Sequence, residues 1–224
     1  MPRISRRRFL QLAGSGLLVA QSPYLLAQPT KKKLGIALLG LGNYSTNLLA
    51  PALQHTNYCE LRGIITGTES KIPKWQRQHG IKESNVYTYR TMDDIANNDD
   101  IDVIYVVTPT GTHKDFAVKA ANTGKHVWCE KPMAMDSEEC QAIIDACNKN
   151  NVTLSIGYRM QHEPNTRTFH QYIDTKPYGE ITAVSSFAGY SGQGRSPDNW
   201  RMQKHMGGGA LYDMGVYAIN GARF

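Results

Sequence analysis

Leu34-Gly35-Ile36-Ala37-Leu38-Leu39-Gly40-Leu41-Gly42-Asn43-Tyr44-Ser45 is the stretch that decides the fold. Its first six residues make a continuous apolar run, as a parallel strand buried on both faces requires. Gly40, Gly42 and Ser45 then follow the spacing G-x-G-x-x-G, with serine in the last place. Two glycines let the chain turn tightly and approach a pyrophosphate, which sits on the N–H groups opening the next helix. Alone the motif is weak, and a plain strand–helix turn would satisfy it. Here it follows a strand and opens a βαβ series, which is the context such a motif needs. Ser45 suits a close helix–strand contact, though less well than glycine.

Outward from this stretch, short β runs alternate with helical patterns. Tyr44–Leu53 reads as a helix, Leu61–Thr66 as a second strand and Lys71–His79 as a charged helix. Val103–Val107 is a β-branched strand, Thr112–Asn122 a helix stopped by Gly124, and His126–Cys129 a short strand. Asp136 or Ser137 caps a helix that runs to Asn150, with Glu138 or Glu139 in its first turn, and Thr153–Ile156 closes the series. Repeated βα units predict an α/β fold, a Rossmann-type doubly wound parallel sheet spanning residues 31–157. After Tyr158 the pattern changes. Asn165–Thr175 reads as a helix, Ile181–Ala188 as a strand and Ser191–Asp198 as a loop. Ala210–Phe224 reads as one amphipathic helix with Leu211, Met214 and Tyr217 on related faces. One strand cannot make a sheet, so residues 158–224 read as the truncated start of an α+β domain.

Charge is unevenly distributed. The 224 residues hold 25 Lys and Arg against 19 Asp and Glu, a net +6, and 41% are hydrophobic. That composition excludes a disordered chain, a collagen-like repeat and a polytopic membrane protein. Arg3, Arg6, Arg7, Arg8, Lys31, Lys32 and Lys33 lie in a leader without acids, which leaves the rest of the chain at −1. The basic surplus belongs to the leader, and a nucleic-acid partner is not expected. The apolar stretch Phe9–Ala27, broken by Gly14, Gly16 and Pro23, ends in a small residue suited to cleavage. Gln11, Ser15, Gln21 and Ser22 make it a poor membrane anchor. Ser5-Arg6-Arg7-Arg8-Phe9-Leu10 resembles the twin-arginine motif, so residues 1–30 read as a signal for export in the folded state, to the periplasm. No membrane partner is expected after cleavage. Cys59, Cys129, Cys140 and Cys147 form no C-x-x-C pair and no zinc-ligand spacing, so they read as buried thiols and no metal is expected.

The candidate chemistry lies at the carboxyl ends of strands, where open α/β sheets bind ligands. The second strand runs into Thr66-Gly67-Thr68-Glu69-Ser70-Lys71, whose tip carries no carboxylate. Thr68 and Lys71 suit a ribose 2′-phosphate and favour NADP, while Glu69 keeps NAD as the alternative. Thr108-Pro109-Thr110-Gly111-Thr112-His113 and Glu130-Lys131-Pro132 follow two further strands. A lysine there can hold its ammonium against a substrate hydroxyl, although a strand-end lysine is more often a surface charge.

Gly40-Leu41-Gly42, Thr108-Pro109 with His113, Gly124-Lys125-His126-Val127 and Glu130-Lys131-Pro132 together resemble the Gfo/Idh/MocA oxidoreductases, closest to their glucose–fructose oxidoreductase branch. The resemblance continues in Gly157-Tyr158-Arg159, Trp200-Arg201 and the run Gly207 to Tyr217. It implies that Lys131 is the catalytic lysine, holding the hydroxyl of the carbon that gives or receives hydride. Tyr217 stands where many relatives have histidine and is the implied proton donor and acceptor. Asp213, four residues earlier on the same helix, would bind a sugar hydroxyl. A phenol starts near pKa 10, and Lys131 with an oxidised nicotinamide is expected to lower it. The implied cofactor set is Gly40, Gly42, Asn43, Tyr44, Thr68, Lys71, Thr108, Pro109, His113, Glu130, Lys131, Arg159, Trp200 and Arg201. Tyr158, Arg159, Trp200 and Arg201 also suit domain packing. The implied activity is hydride transfer between a tightly bound dinucleotide and a sugar or polyol, in a homo-oligomer, with residues 158–224 beginning the substrate domain. The alternatives are an inositol or sugar dehydrogenase with exchangeable NAD, or a dinucleotide-binding fragment without turnover.

Overall fold

β1 (Leu34–Leu39), β2 (Cys59–Thr66), β3 (Val86–Thr88), β4 (Val103–Val106), β5 (His126–Cys129) and β6 (Leu154–Ile156) form one sheet in the order β3-β2-β1-β4-β5-β6. Every pairing is parallel. The computed structural model describes residues 33–192 and 194–223; the expected export leader and expected cleavage site lie outside the described residues, as does Phe224.

Alternate residues of β1 serve opposite faces, which is why the run is apolar throughout. Ile36 and Leu38 join Ile64, Val103 and Tyr105 under Ala50 and Leu53 of α1 (Ala50–Leu53) and Trp75 of α2 (Ile72–His79). Ala37 and Leu39 join Ile65, Ile104, Val106 and Val127 on the other face. There Ala117, Ala120 and Ala121 of α3 (His113–Asn122) and Ile143 and Cys147 of α4 (Ser137–Lys149) cover them. Each fully buried aliphatic side chain contributes about 1.5–3 kcal/mol. The chain runs outward from β1 to β3 and then returns to β4, so the strand order reverses between β1 and β4. That reversal opens a crevice at their carboxyl ends.

Local signals explain most element ends. Asp136 caps α4 by accepting from the Glu139 N–H at 2.8 Å, and the Glu139 carboxylate accepts from the Met135 N–H at 3.1 Å. The expected helix from Tyr44 passes through a π-helical turn, Ser45–Leu49, before α1. β3 goes beyond the strands expected from sequence. It is three residues long, too short for a pattern, and its buried Tyr87 is tied by its hydroxyl to the Ser84 carbonyl at 3.0 Å.

Two expectations after Tyr158 are corrected. α5 (Pro164–Thr175) forms, capped by Glu163, but Ile181–Ala188 is not a strand. Ile181 and Val184 are each 53% exposed and Phe187 is 95% exposed. With no neighbouring strand among the described residues, extended backbone there would gain no ladder bonds. Ala210–Phe224 is not one regular helix either. A π-helical turn, Leu211–Gly215, precedes α6 (Val216–Arg223). The wider turn shifts the register, and Leu211 stands 66% exposed instead of sharing the packed face with Tyr217. None of the four cysteines is in a disulfide; Cys129 and Cys147 are buried, Cys59 and Cys140 half-buried.

Candidate active site

The turn after β1 forms the floor of the crevice. Gly40 has φ +98°, and a Cβ there would meet the Val107 carbonyl at 2.8 Å, so both conformation and space require glycine. A Cβ at Gly42 would meet nothing within 4 Å, which leaves open space above the turn. Ser45, in the place of the third glycine, is buried and donates its hydroxyl to the Gly40 carbonyl, closing the turn from below. The serine adds a bond that glycine could not make. Lys71 reaches across from the second strand's tip and donates to the Leu41 carbonyl at 2.9 Å.

A cleft of about 1000 Å3 rises from this floor. Gly40, Gly42, Asn43, Tyr44, Thr68, Lys71, Thr108, Pro109, His113, Glu130, Lys131, Arg159, Trp200, Arg201, Asp213 and Tyr217 all line it. Residues separated by up to 177 positions thus meet because strand ends, the loop after β6 and the turn before α6 face one crevice. The open turn, the helix beginning at Asn43 and the cation at Lys71 fit a dinucleotide pyrophosphate and ribose.

His113 lines the cleft and acts there as a clamp within its wall. It is 1% exposed, with Nε2 2.8 Å from the Thr108 carbonyl oxygen and Nδ1 2.8 Å from that of Pro132. It thereby joins the loop after β4 to the loop that carries Lys131. Burial lowers its pKa, against the raising effect of these carbonyl contacts.

Lys131, Asp213 and Tyr217 converge at the mouth. The Lys131 ammonium donates to the Asp213 carbonyl at 2.7 Å and lies 3.8 Å from its carboxylate. Burial lowers the Lys131 pKa, opposed by the charges of Asp213 and Glu130. The Asp213 carboxylate also accepts from Arg201 Nε at 3.1 Å and from the Tyr190 hydroxyl. A carboxylate has about four acceptor positions, so a sugar hydroxyl would join an occupied set. Holding Lys131 and Arg201 is the role Asp213 already performs.

The expectation that Lys131 lowers the Tyr217 phenol is corrected. The ammonium lies 4.5 Å from the ring centroid, over the face and not at the hydroxyl. Burial raises the phenol above its ordinary value, and the group that pulls it down is Arg159, through its charge and a hydrogen bond. Trp200 packs under the Arg201 guanidinium at 4.4 Å. Tyr212 donates to the Met135 carbonyl at 2.6 Å and fastens this region to the loop before α4.

Sequence reading missed Tyr89, Tyr190 and Arg195 in the cleft wall, and Tyr105 behind it. Arg195 stacks over Tyr190 at 4.5 Å, and Tyr190 binds Asp213. None sits in a motif, and a Gly/Ser-rich loop gives no local sign of what it will touch.

Two family models match the chain. One, described as an oxidoreductase family with an NAD-binding Rossmann fold, covers residues 34–158, and a GFO/IDH/MocA C-terminal domain covers residues 166–224. The D-xylose 1-dehydrogenase [NADP(+)] of Haloarcula marismortui is 30% identical over 198 residues, 87% of this chain and 55% of that protein. The aldose-aldose oxidoreductase of Caulobacter crescentus, solved with glycerol, is 37% identical with a TM-score of 0.82 over 86% of this chain and 57% of that one. The apo scyllo-inositol dehydrogenase of Lactobacillus casei shares the fold, with a TM-score of 0.72 at 22% identity over 87% of this chain and 55% of that one. The chain spans little more than half the length of these relatives.

Proposed function

The chain belongs to the Gfo/Idh/MocA oxidoreductase family, and from that premise we propose that it carries the cofactor cleft and catalytic groups of an NADP-dependent oxidoreductase acting on a CH–OH group of a sugar or polyol. The convergence of Lys131, Asp213 and Tyr217 at the mouth of a cleft floored by the Gly40–Ser45 turn carries this reading. Relatives named for NADP-dependent xylose oxidation and for aldose–aldose oxidoreduction support the substrate class.

A bound nicotinamide dinucleotide would supply hydride transfer. Gly42 and the helix beginning at Asn43 would hold its pyrophosphate, and Thr68 and Lys71 its 2′-phosphate, which favours NADP over NAD. The Lys131 ammonium would donate a hydrogen bond to the substrate oxygen and stabilise negative charge developing there. Tyr217 would exchange the proton of that oxygen, giving it in reduction and taking it in oxidation. Arg159 and Arg201 would line the approach. The leader fits export by the twin-arginine route with the cofactor already bound, and a cofactor retained in this way would be recycled by pairing one oxidation with one reduction.

The test is a panel of aldoses, ketoses and polyols added to the protein with NADP or NADPH, followed by dinucleotide absorbance. Turnover with at least one sugar or polyol, abolished in Lys131→Ala, is expected. Absence of turnover across the panel would overturn the reading.

A further inference from the structure

Glu130 is the one group in the cleft wall with an acidic side chain buried beneath the surface and no role in the scheme above. It is 8% exposed and has no cation within salt-bridge distance among the described residues. Its two donors are neutral. The Tyr105 hydroxyl donates to Oε1, and the Lys131 backbone N–H donates to Oε2 at 3.3 Å. Tyr105 on β4 is itself 9% exposed, and its ring meets the edge of Trp128 on β5 at 5.6 Å. Gly157 closes the mount from the other side. A Cβ there would stand 2.7 Å from Glu130 Oε1 and 2.8 Å from the Tyr105 hydroxyl, so glycine leaves room for the pair.

We propose that Glu130, held by Tyr105 under Gly157, is a positioning residue: its buried carboxylate fixes the Lys131 backbone and supplies the inner counter-charge to the Lys131 ammonium and the Arg159 guanidinium. The inference rests on the site assigned to Lys131 above. A buried carboxylate is costly, and an apolar pair of the same shape would pack as well. The charge therefore has an electrostatic task. Facing Lys131 are Asp213 and Tyr217 from the turn before α6 and from α6 itself, and Arg159 from the loop after β6. Arg201, His113 and Glu130 complete its charged surroundings. Of these, only Glu130 and Asp213 are anions, and Asp213 is shared with Arg201. Burial tends to strip the proton from Lys131, and Glu130 opposes that loss. Burial raises the Glu130 carboxyl above its ordinary value, and the Tyr105 hydroxyl and the Lys131 N–H pull it back toward the ionised form.

The test is direct titration of Lys131 in the whole protein, by 13C NMR of reductively methylated lysines. The Lys131 resonance is identified by its absence in Lys131→Arg. Glu130→Gln keeps the shape and removes the charge, and should lower the Lys131 titration midpoint by about one unit. Tyr105→Phe keeps the ring against Trp128 and should move it in the same direction by a smaller amount. A midpoint unchanged in Glu130→Gln, or one that moves in Glu130→Gln but not in Tyr105→Phe, overturns the proposal. Sugar turnover plays no part in this readout, so failure of the oxidoreductase reading would leave the result interpretable.

Discussion

Lys131 and Tyr217 sit where burial acts on both and in opposite directions. Burial lowers the lysine and raises the tyrosine. The raised phenol keeps its proton further into the alkaline range, so in the proposed reaction reduction would retain its proton donor there while oxidation would gain its base only as pH rises. The rate of substrate oxidation should therefore climb with pH until the Lys131 ammonium titrates, and Tyr217→Phe should flatten the climb. An oxidation rate independent of pH in the unaltered enzyme would refute it. Lys131→Ala and Tyr217→Phe should each cost about 100-fold or more in kcat, the range of general acid–base catalysis. Dinucleotide Kd, read by fluorescence, should stay nearly unchanged. Loss of cofactor binding with turnover per bound cofactor preserved would reassign both residues. Lys71→Ala should weaken NADP by roughly 10- to 100-fold, the worth of one charge-assisted contact, and NAD far less. Equal weakening would assign Lys71 to holding the glycine turn through its bond to the Leu41 carbonyl.

Elements place these residues through a few joints, of which His113 at the start of α3 is the best defined. Carbonyls only accept, so the neutral ring donates to one of the two, and burial disfavours the imidazolium that would donate to both. The folded pKa is lowered against an unfolded value near 6.5. The contribution to stability is therefore complete above that value and is lost as pH falls through the folded pKa. Urea unfolding at pH 7.5 and at pH 5 should show a drop in stability on acidification, smaller in His113→Gln than in the unaltered protein. Equal drops would remove His113 from the acid response. The joint was half legible. The strand end and helix start were readable in Thr108–His113, but the second carbonyl, that of Pro132, lies 19 residues away and arrives only through the pairing of β4 with β5.

Across the whole molecule, the sheet and its helices are buried and cross-connected, whereas residues 176–192 are almost entirely exposed and form no helix or strand. Limited proteolysis should cut first between Lys176 and Asp198 and leave a protected fragment holding the six strands. A first cut within residues 34–157 would contradict this, and mass spectrometry of the early fragments decides it. The same contrast separates what each level of description determines. Sequence alone determined the parallel sheet, the glycine turn and which candidate residues stand at the strand ends. Burial on both faces leaves an unbroken apolar run, and turns and strand tips declare themselves within a few neighbouring residues. Tertiary structure alone decided that Lys131 lies over the face of Tyr217, that His113 is held between the Thr108 and Pro132 carbonyls and that Tyr190 and Arg201 hold Asp213. It also decided that Ile181–Ala188 forms no strand. These outcomes depend on distances and partners between residues far apart in the chain, and on which groups lose water, none of which any local pattern encodes.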